Sequence, residues 1–209
     1  MNNNSKPSLE TWLRRTAAKP LDKIASALLS LGLQPNHITI FGMLGSIAAG
    51  YLIIRGQLLA AGLLALFMAP LDAVDGAMAR KRGKLSRFGA FLDSVIDRYD
   101  ELILLGALLV YFYSNGCQWG VILSYLAAAG SVLVSYTRAR AEGLGLTAKV
   151  GVLTRIERAI VLIAGLLFGF PFISVGIIAI LANLTALQRI LCVRAQAGLD
   201  LELTKNEKE

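Results

Sequence analysis

The chain has 209 residues, 56% of them hydrophobic and only 17% charged, with a mean hydropathy of +0.61. Soluble domains carry about 25% charged residues, so this composition excludes an ordinary water-soluble domain and points to an integral membrane protein. The net charge of +7 is distributed in blocks, Cys117 and Cys192 lack metal-type spacing, and His37 is the only histidine. A disulfide framework, a thiolate centre and a His-rich metal site therefore have no support.

Residues 1–36 form the first segment. Leu9, Trp12 and Leu13, then Leu21, Ile24, Ala25, Leu28 and Leu29, recur at helical spacing, with Arg14, Arg15, Lys19 and Lys23 between them. This pattern predicts an amphipathic interfacial helix, apolar face in the acyl boundary and basic residues at anionic headgroups. The alternative is an amphipathic helix packed on protein. Pro20 is expected to divide it in two, and Pro35 closes a turn over Gly32–Asn36.

Residues 37–194 contain six apolar segments: Ile38–Ile54, Leu58–Ala79, Phe88–Tyr113, Gly120–Tyr136, Ile156–Phe168 and Ile173–Val193. Each approaches the ~20 residues that cross a bilayer, the fifth being short. Basic residues alternate between the connections. Lys6, Arg14, Arg15, Lys19 and Lys23 precede the first span; Arg80, Lys81, Arg82, Lys84 and Arg87 follow the second; Arg138, Arg140, Lys149 and Arg155 follow the fourth, with Arg158 just beyond. The opposite connections hold only Arg55. This asymmetry predicts an all-α membrane protein of six transmembrane helices with both termini cytoplasmic. Residues 195–209 are polar and are expected to be a disordered cytoplasmic tail.

Asp72, Asp75, Asp93, Asp97, Asp100 and Glu101 lie within thirty positions of one another. Offsets of three and four place Asp72, Asp75, Gly76 and Ala79 on one helical face, and Gly89, Asp93 and Asp97 on another. Carboxylates inside a span persist only where paired, solvated or metal-bound. Scaffold salt bridges to Arg80, Arg87 or Arg98 would explain one of them but not four. An all-oxygen donor set favours Mg²⁺, Mn²⁺ or Ca²⁺ over zinc, and four carboxylates suit two ions able to clamp a diphosphate. Gly76, Ala79 and Gly89 leave room for a ligand, or equally for a neighbouring helix. A cation transporter is the competing class, but neither internal repeats nor interrupted midplane helices are visible.

The run Asp72-x-x-Asp75-Gly76-x-x-Ala79-Arg80, eight residues, then Gly89-x-x-x-Asp93-x-x-x-Asp97 resembles the complete signature of the CDP-alcohol phosphotransferase family, matching all eight defining positions. The resemblance implies a homodimeric membrane enzyme that transfers a substituted phosphate from a CDP-linked lipid, such as CDP-diacylglycerol, to an alcohol and releases CMP at the cytoplasmic membrane surface. It implies no nucleic-acid partner. By motif position Asp72, Asp75 and Asp93 correspond to metal ligands for Mg²⁺, in two sites, with Mn²⁺ able to substitute. Asp97 corresponds to the general base and to a further ligand, and Asp72, Gly76, Ala79, Arg80 and Gly89 to the CDP site. The roles of Asp100 and Glu101 stay open.

A second stretch, Ser135-Tyr136-Thr137-Arg138-Ala139-Arg140-Ala141-Glu142 with Arg155-Ile156-Glu157-Arg158, resembles the inositol-phosphate branch of that family. There Ser135, Arg138, Arg158 and Arg189 correspond to residues that hold the acceptor's phosphate, and converging cations suit a phosphorylated polyol. Glycerol 3-phosphate is the alternative acceptor. The positive-inside bias accounts for Arg140, Lys149 and Arg155 without a ligand. Pro35-Asn36-His37-Ile38-Thr39 is a further recurring feature of the family, near the nucleotide; Asn36 reads equally as a helix N-cap.

Overall fold

The computed structural model describes residues 9–82 and 86–206, with side chains described over 20–82 and 86–198. Lys6, Lys84 and residues 207–209 lie outside the described residues, as do the side chains of Arg14, Arg15 and Lys19. The described residues form eight helices: α1 (Leu9–Ser30), α2 (Pro35–Ile54), α3 (Leu58–Met68), α4 (Leu71–Lys81), α5 (Arg87–Ser114), α6 (Gln118–Gly143), α7 (Arg155–Leu167) and α8 (Pro171–Asn206). The protein is all-helical, and four stretches are long and apolar enough to cross a membrane: Pro35–Ile54, Leu58–Lys81, Gln118–Gly143 and Pro171–Gly198. The other two expected spans do not pass that test. The first half of α5 holds Asp93, Asp97, Arg98 and Asp100, and Glu101 follows at its middle. Helix α7 has 13 residues, about 20 Å at 1.5 Å per residue, against a hydrocarbon core of roughly 30 Å.

Five helices end in one way. Leu33, Gln57, Cys117, Leu146 and Phe170 donate their backbone N–H to the carbonyls of Leu28, Leu52, Phe112, Ala141 and Gly165, at 2.8–3.2 Å. The residue before each donor is a glycine, with φ between 69° and 78°. These are Schellman closures, in which the left-handed residue lets the chain turn back onto the last carbonyls; a Cβ there would be strained.

Three local expectations are corrected. Pro20 lies inside α1 and does not divide it, so the lost hydrogen bond is tolerated within a helix that packing holds on one face. Leu58–Ala79 is not one helix: α3 stops at Met68 and α4 begins at Leu71, with Pro70 at the cap. Proline lacks the N–H that would continue the ladder, and its ring crowds the carbonyl four residues back. The Ala73 amide turns to the Pro70 carbonyl at 3.0 Å, and the Val74 amide resumes the ordinary ladder on the same oxygen at 3.1 Å. The polar tail is not irregular either, because α8 continues through Ala195 to Asn206. That stretch holds three leucines and two alanines, both good helix formers, and no proline to end the helix.

The chain divides into two compact units, Met1–Ala48 with Leu64–Asp100, and Ala49–Leu63 with Glu101–Glu209. In the first, Ala25, Ile38, Val74, Ala77 and Met78 are buried together, with Leu21, Leu28, Leu29, Leu33 and Leu71 against them. The second half of α1 thus lays this apolar face on α4, as the protein-packed alternative anticipated, while Ile24 and Leu31 remain exposed. Lys81 ties the same two helices, its Nζ donating to the Asp22 carbonyl at 2.6 Å and to Ser26 Oγ. Gly45 lets α2 approach Met68, whose Sδ lies 2.6 Å from where a Cβ would stand.

The second unit is built on α6, α7 and α8 around Leu105, Leu108, Phe112, Leu162, Leu166, Val175 and Ile178. Gly130 brings α6 against α8: a Cβ there would lie 2.6 Å from Asn183 Nδ2 and 3.1 Å from Ala182. Asn183 uses the proximity to donate to the Leu126 carbonyl at 3.0 Å. Small residues that let backbones meet, joined by one polar bond, are what holds helices together where apolar burial gives little. Gly130→Leu is expected to force the helices apart at a cost of roughly 1–3 kcal/mol, read as a lowered unfolding temperature of the detergent-solubilised protein.

Candidate active site

The carboxylates of the signature belong to the first unit. Asp72 lies in the first turn of α4, where the positive end of the helix dipole favours an anion. Asp75, one turn on, is buried at 5% exposure and accepts a hydrogen bond from Thr39 Oγ1 at 2.7 Å. The same hydroxyl is 3.2 Å from the Pro35 carbonyl; with one proton to give, its shorter contact is to the carboxylate. Asp93 and Asp72 are both near enough to Asp75 to act on it electrostatically, so these three signature carboxylates lie in one neighbourhood. Asp97 is also buried, with the Arg98 Nη1 3.9 Å from its Oδ2.

Gly76 provides space of a particular kind. A Cβ on it would stand 3.4 Å from Arg80 Nη1, so Arg80 folds back one helical turn over Gly76. Gly89 is likewise placed against Asn36, whose Oδ1 lies 3.4 Å from the position of a Cβ. Asn36 is therefore not the N-cap of α2. The helix begins at Pro35, a residue suited to the first helical position, and His37 Nδ1 accepts from the Gln34 N–H at 3.4 Å. Residues 35–39 thus reach the signature twice, through Asn36 at Gly89 and Thr39 at Asp75.

The donor chemistry fits hard divalent cations, being carboxylate oxygen throughout. Among the described residues no three His, Cys, Asp or Glu side chains are arranged to hold a metal ion.

The expected acceptor residues belong to the second unit. Ser135 and Arg138 lie one turn apart on α6. Ser135 Oγ donates to the Ser131 carbonyl at 3.2 Å, and Arg138 Nε donates to Glu142 Oε1 at 3.0 Å. Both members of that ion pair are about half exposed, so it holds Arg138 only weakly. Arg189, on α8, is buried and joins the group: its Nη1 donates to the carbonyl of Val134, the residue before Ser135, and its Nε to the Val150 carbonyl at 3.0 Å. Arg158 has 1% exposure, and its Nε and Nη2 donate to the two oxygens of Glu101 at 2.6 and 3.0 Å. Its Nη1 lies 3.4 Å from the Leu153 carbonyl. The Glu157 carboxylate accepts from the Thr154 N–H and completes a capping box at the start of α7.

The sequence reading missed Thr39 as a partner of Asp75 and Glu101 as the counter-ion of Arg158. Thr39 stood inside a stretch already singled out. Glu101 had only one signal, a carboxylate four residues after Asp97 in an apolar helix.

Residues 33–193 match the CDP-alcohol phosphatidyltransferase family. The chain is 41% identical over 180 residues to an archaetidylinositol phosphate synthase of Pyrococcus horikoshii, covering 85% of this chain and 93% of the relative. It is 37% identical over 202 residues to a phosphatidylinositol phosphate synthase of Mycobacteroides abscessus, covering 90% of each. The crystal structure of Mycobacterium tuberculosis phosphatidylinositol phosphate synthase with CDP-DAG bound superposes with a TM-score of 0.77 at 32% identity, covering 83% of this chain and 92% of that one. The same enzyme in complex with manganese and citrate gives 0.78 at 31% identity, covering 83% and 88%. The match over residues 33–193 and the identity to these relatives over most of the chain place this multi-pass membrane protein in the CDP-alcohol phosphatidyltransferase family. It is an enzyme, and the cation-transporter alternative is set aside.

Thr39→Val keeps the shape of the side chain and removes the hydroxyl from Asp75. Hydrogen bonds to charged groups are worth about 1.5–3 kcal/mol, so the unfolding temperature is expected to fall, and turnover of the protein that remains folded, measured by CMP release, to fall about tenfold or more.

Proposed function

We propose that this enzyme transfers a lipid phosphate group from a CDP-linked lipid to an inositol phosphate, releasing CMP. The observation that carries the reading is the likeness to archaetidylinositol and phosphatidylinositol phosphate synthases over most of the chain. The grouping of Ser135, Arg138 and Arg189 in one unit supports it, since a phosphorylated acceptor needs converging cations. Glu101 already neutralises Arg158, which would therefore meet the acceptor as part of an ion pair rather than as a free cation.

In this reading Asp72, Asp75, Asp93 and Asp97 would hold two Mg²⁺ ions, with Mn²⁺ able to substitute, which would supply positive charge to the diphosphate and to the departing CMP. Asp72, Gly76, Ala79, Arg80 and Gly89 bind the CDP group, with the Arg80 guanidinium near the diphosphate. Asp97 takes the proton from the attacking hydroxyl, whose own acidity is far too low for reaction near neutral pH. Burial of Asp97 keeps bulk water from competing for that role. The acceptor is held by its phosphate, leaving the reacting hydroxyl to be positioned in line with the bond that breaks.

The membrane arrangement we propose has six spans: the four long apolar stretches, the apolar second half of α5, and α7. Residues 1–36 form the cytoplasmic interfacial segment, residues 195–209 the cytoplasmic end, and the active site opens to the cytoplasm. The protein works as a homodimer.

Two experiments test these roles. Asp97→Asn is expected to abolish CMP release while Mg²⁺-dependent binding of the CDP-lipid persists; ordinary turnover by this variant would remove Asp97 from the role of base. With CDP-diacylglycerol and Mg²⁺, the purified enzyme is expected to turn over inositol 1-phosphate faster than glycerol 3-phosphate, free inositol or serine. A preference for glycerol 3-phosphate would reassign the acceptor.

A further inference from the structure

The connection between α6 and α7 runs from Leu144 to Thr154, and it is held to α8 by side chains on one helical face. Gln196 pairs with Thr147 as one strand pairs with another. Its Oε1 accepts from the Thr147 N–H at 3.0 Å and from the Thr147 hydroxyl at 3.2 Å, and its Nε2 donates to the Thr147 carbonyl at 2.6 Å. At the far end Thr185 Oγ1, fully buried, accepts from the Leu153 N–H at 3.1 Å. Between them Arg189 Nε donates to the Val150 carbonyl at 3.0 Å. Gly151, at φ 141°, closes over Thr185 so tightly that a Cβ would overlap Thr185 Cγ2. Positions 185, 189, 192 and 196 advance by four, three and four, which keeps them on one side of α8.

Two carbonyls of this segment face the guanidinium groups of the proposed acceptor site. Val150 receives Arg189 Nε at 3.0 Å, and Leu153 lies 3.4 Å from Arg158 Nη1. A guanidinium is planar, so fixing one of its N–H groups fixes the direction of the others. We infer that Thr147–Leu153 is a strap, clamped by Gln196 and Thr185, which orients Arg189 and Arg158 toward a phosphorylated acceptor, and that Gln196 and Thr185 are positioning residues for that substrate. This rests on the reading of Ser135, Arg138, Arg158 and Arg189 as the acceptor-phosphate site.

Cys192 reports on the strap directly. Its Sγ is half-buried and lies 3.8 Å from the Thr147 carbonyl and 3.2 Å from Gln196 Nε2. The experiment measures maleimide alkylation of Cys192, resolved by mass spectrometry with Cys117 as internal control, together with steady-state kinetics for both substrates of the full chain. Gln196→Ala is expected to speed alkylation of Cys192 and to raise KM for inositol 1-phosphate by roughly tenfold, leaving KM for CDP-diacylglycerol unchanged. Thr185→Val loosens the opposite end and is expected to give the same one-sided rise in KM. Faster alkylation with an unchanged acceptor KM would overturn the orienting role. Unchanged alkylation in Gln196→Ala would overturn the clamp. Equal rises in both KM values with a lowered unfolding temperature would reduce the two residues to general scaffold. Failure of the underlying acceptor reading shows separately, as Arg138→Ala leaving the acceptor KM unaltered whatever Cys192 reports.

Discussion

A charge or unpaired polar group in an apolar helical protein must be met by a partner, and most of the specific structure of this chain answers that requirement. Inserting one ionised side chain near the centre of a bilayer costs about 3 kcal/mol on insertion scales. Asp75 is met by the Thr39 hydroxyl, Arg158 by the whole carboxylate of Glu101, and Arg189 by two backbone carbonyls. Each partner fixes the position of the charged group as well as offsetting its burial. The same bonds that make these groups tolerable therefore also aim them.

The Arg158–Glu101 pair shows the two sides of this arrangement. Replacing a buried ion pair with matched apolar residues is often harmless, whereas removing one partner leaves an isolated charge at a cost of about 3–5 kcal/mol. The pair joins α5 to α7, the shorter helix, and it stands beside the strap through the Leu153 carbonyl. Helix α7 gains further definition from its capping box at Thr154 and Glu157. A thirteen-residue helix is marginal by itself, so its position rests on these polar anchors, on the buried Leu162 and Leu166, and on Gly165, which admits Ser174 within the space a Cβ would need.

Much of this was legible in the amino-acid order. Asp72, Asp75, Gly76 and Ala79, then Gly89, Asp93 and Asp97, share faces because helical periodicity is local, and the apolar runs located the helices for the same reason. Partners distant in the chain were not legible. Thr39 and Asp75 are 36 positions apart, Glu101 and Arg158 are 57 apart, and Thr147 and Gln196 are 49 apart; no short pattern links such pairs. The interruption at Pro70 was hidden by hydropathy that stays high on both sides of it. The helical end of α8 was hidden by polar composition, which signals exposure but does not distinguish a solvated helix from irregular chain.

The tie between α1 and α4 changes what should count as the working enzyme. The family match spans residues 33–193, yet Ala25 and the Asp22 carbonyl, which support the helix carrying Asp72 and Asp75, lie before it. Gln196, which holds the strap, lies after it. The matched region is thus braced at both ends by residues that lie outside it. A chain trimmed to residues 33–193 would keep every signature residue and lose the contacts that hold α4 on one side and the strap on the other.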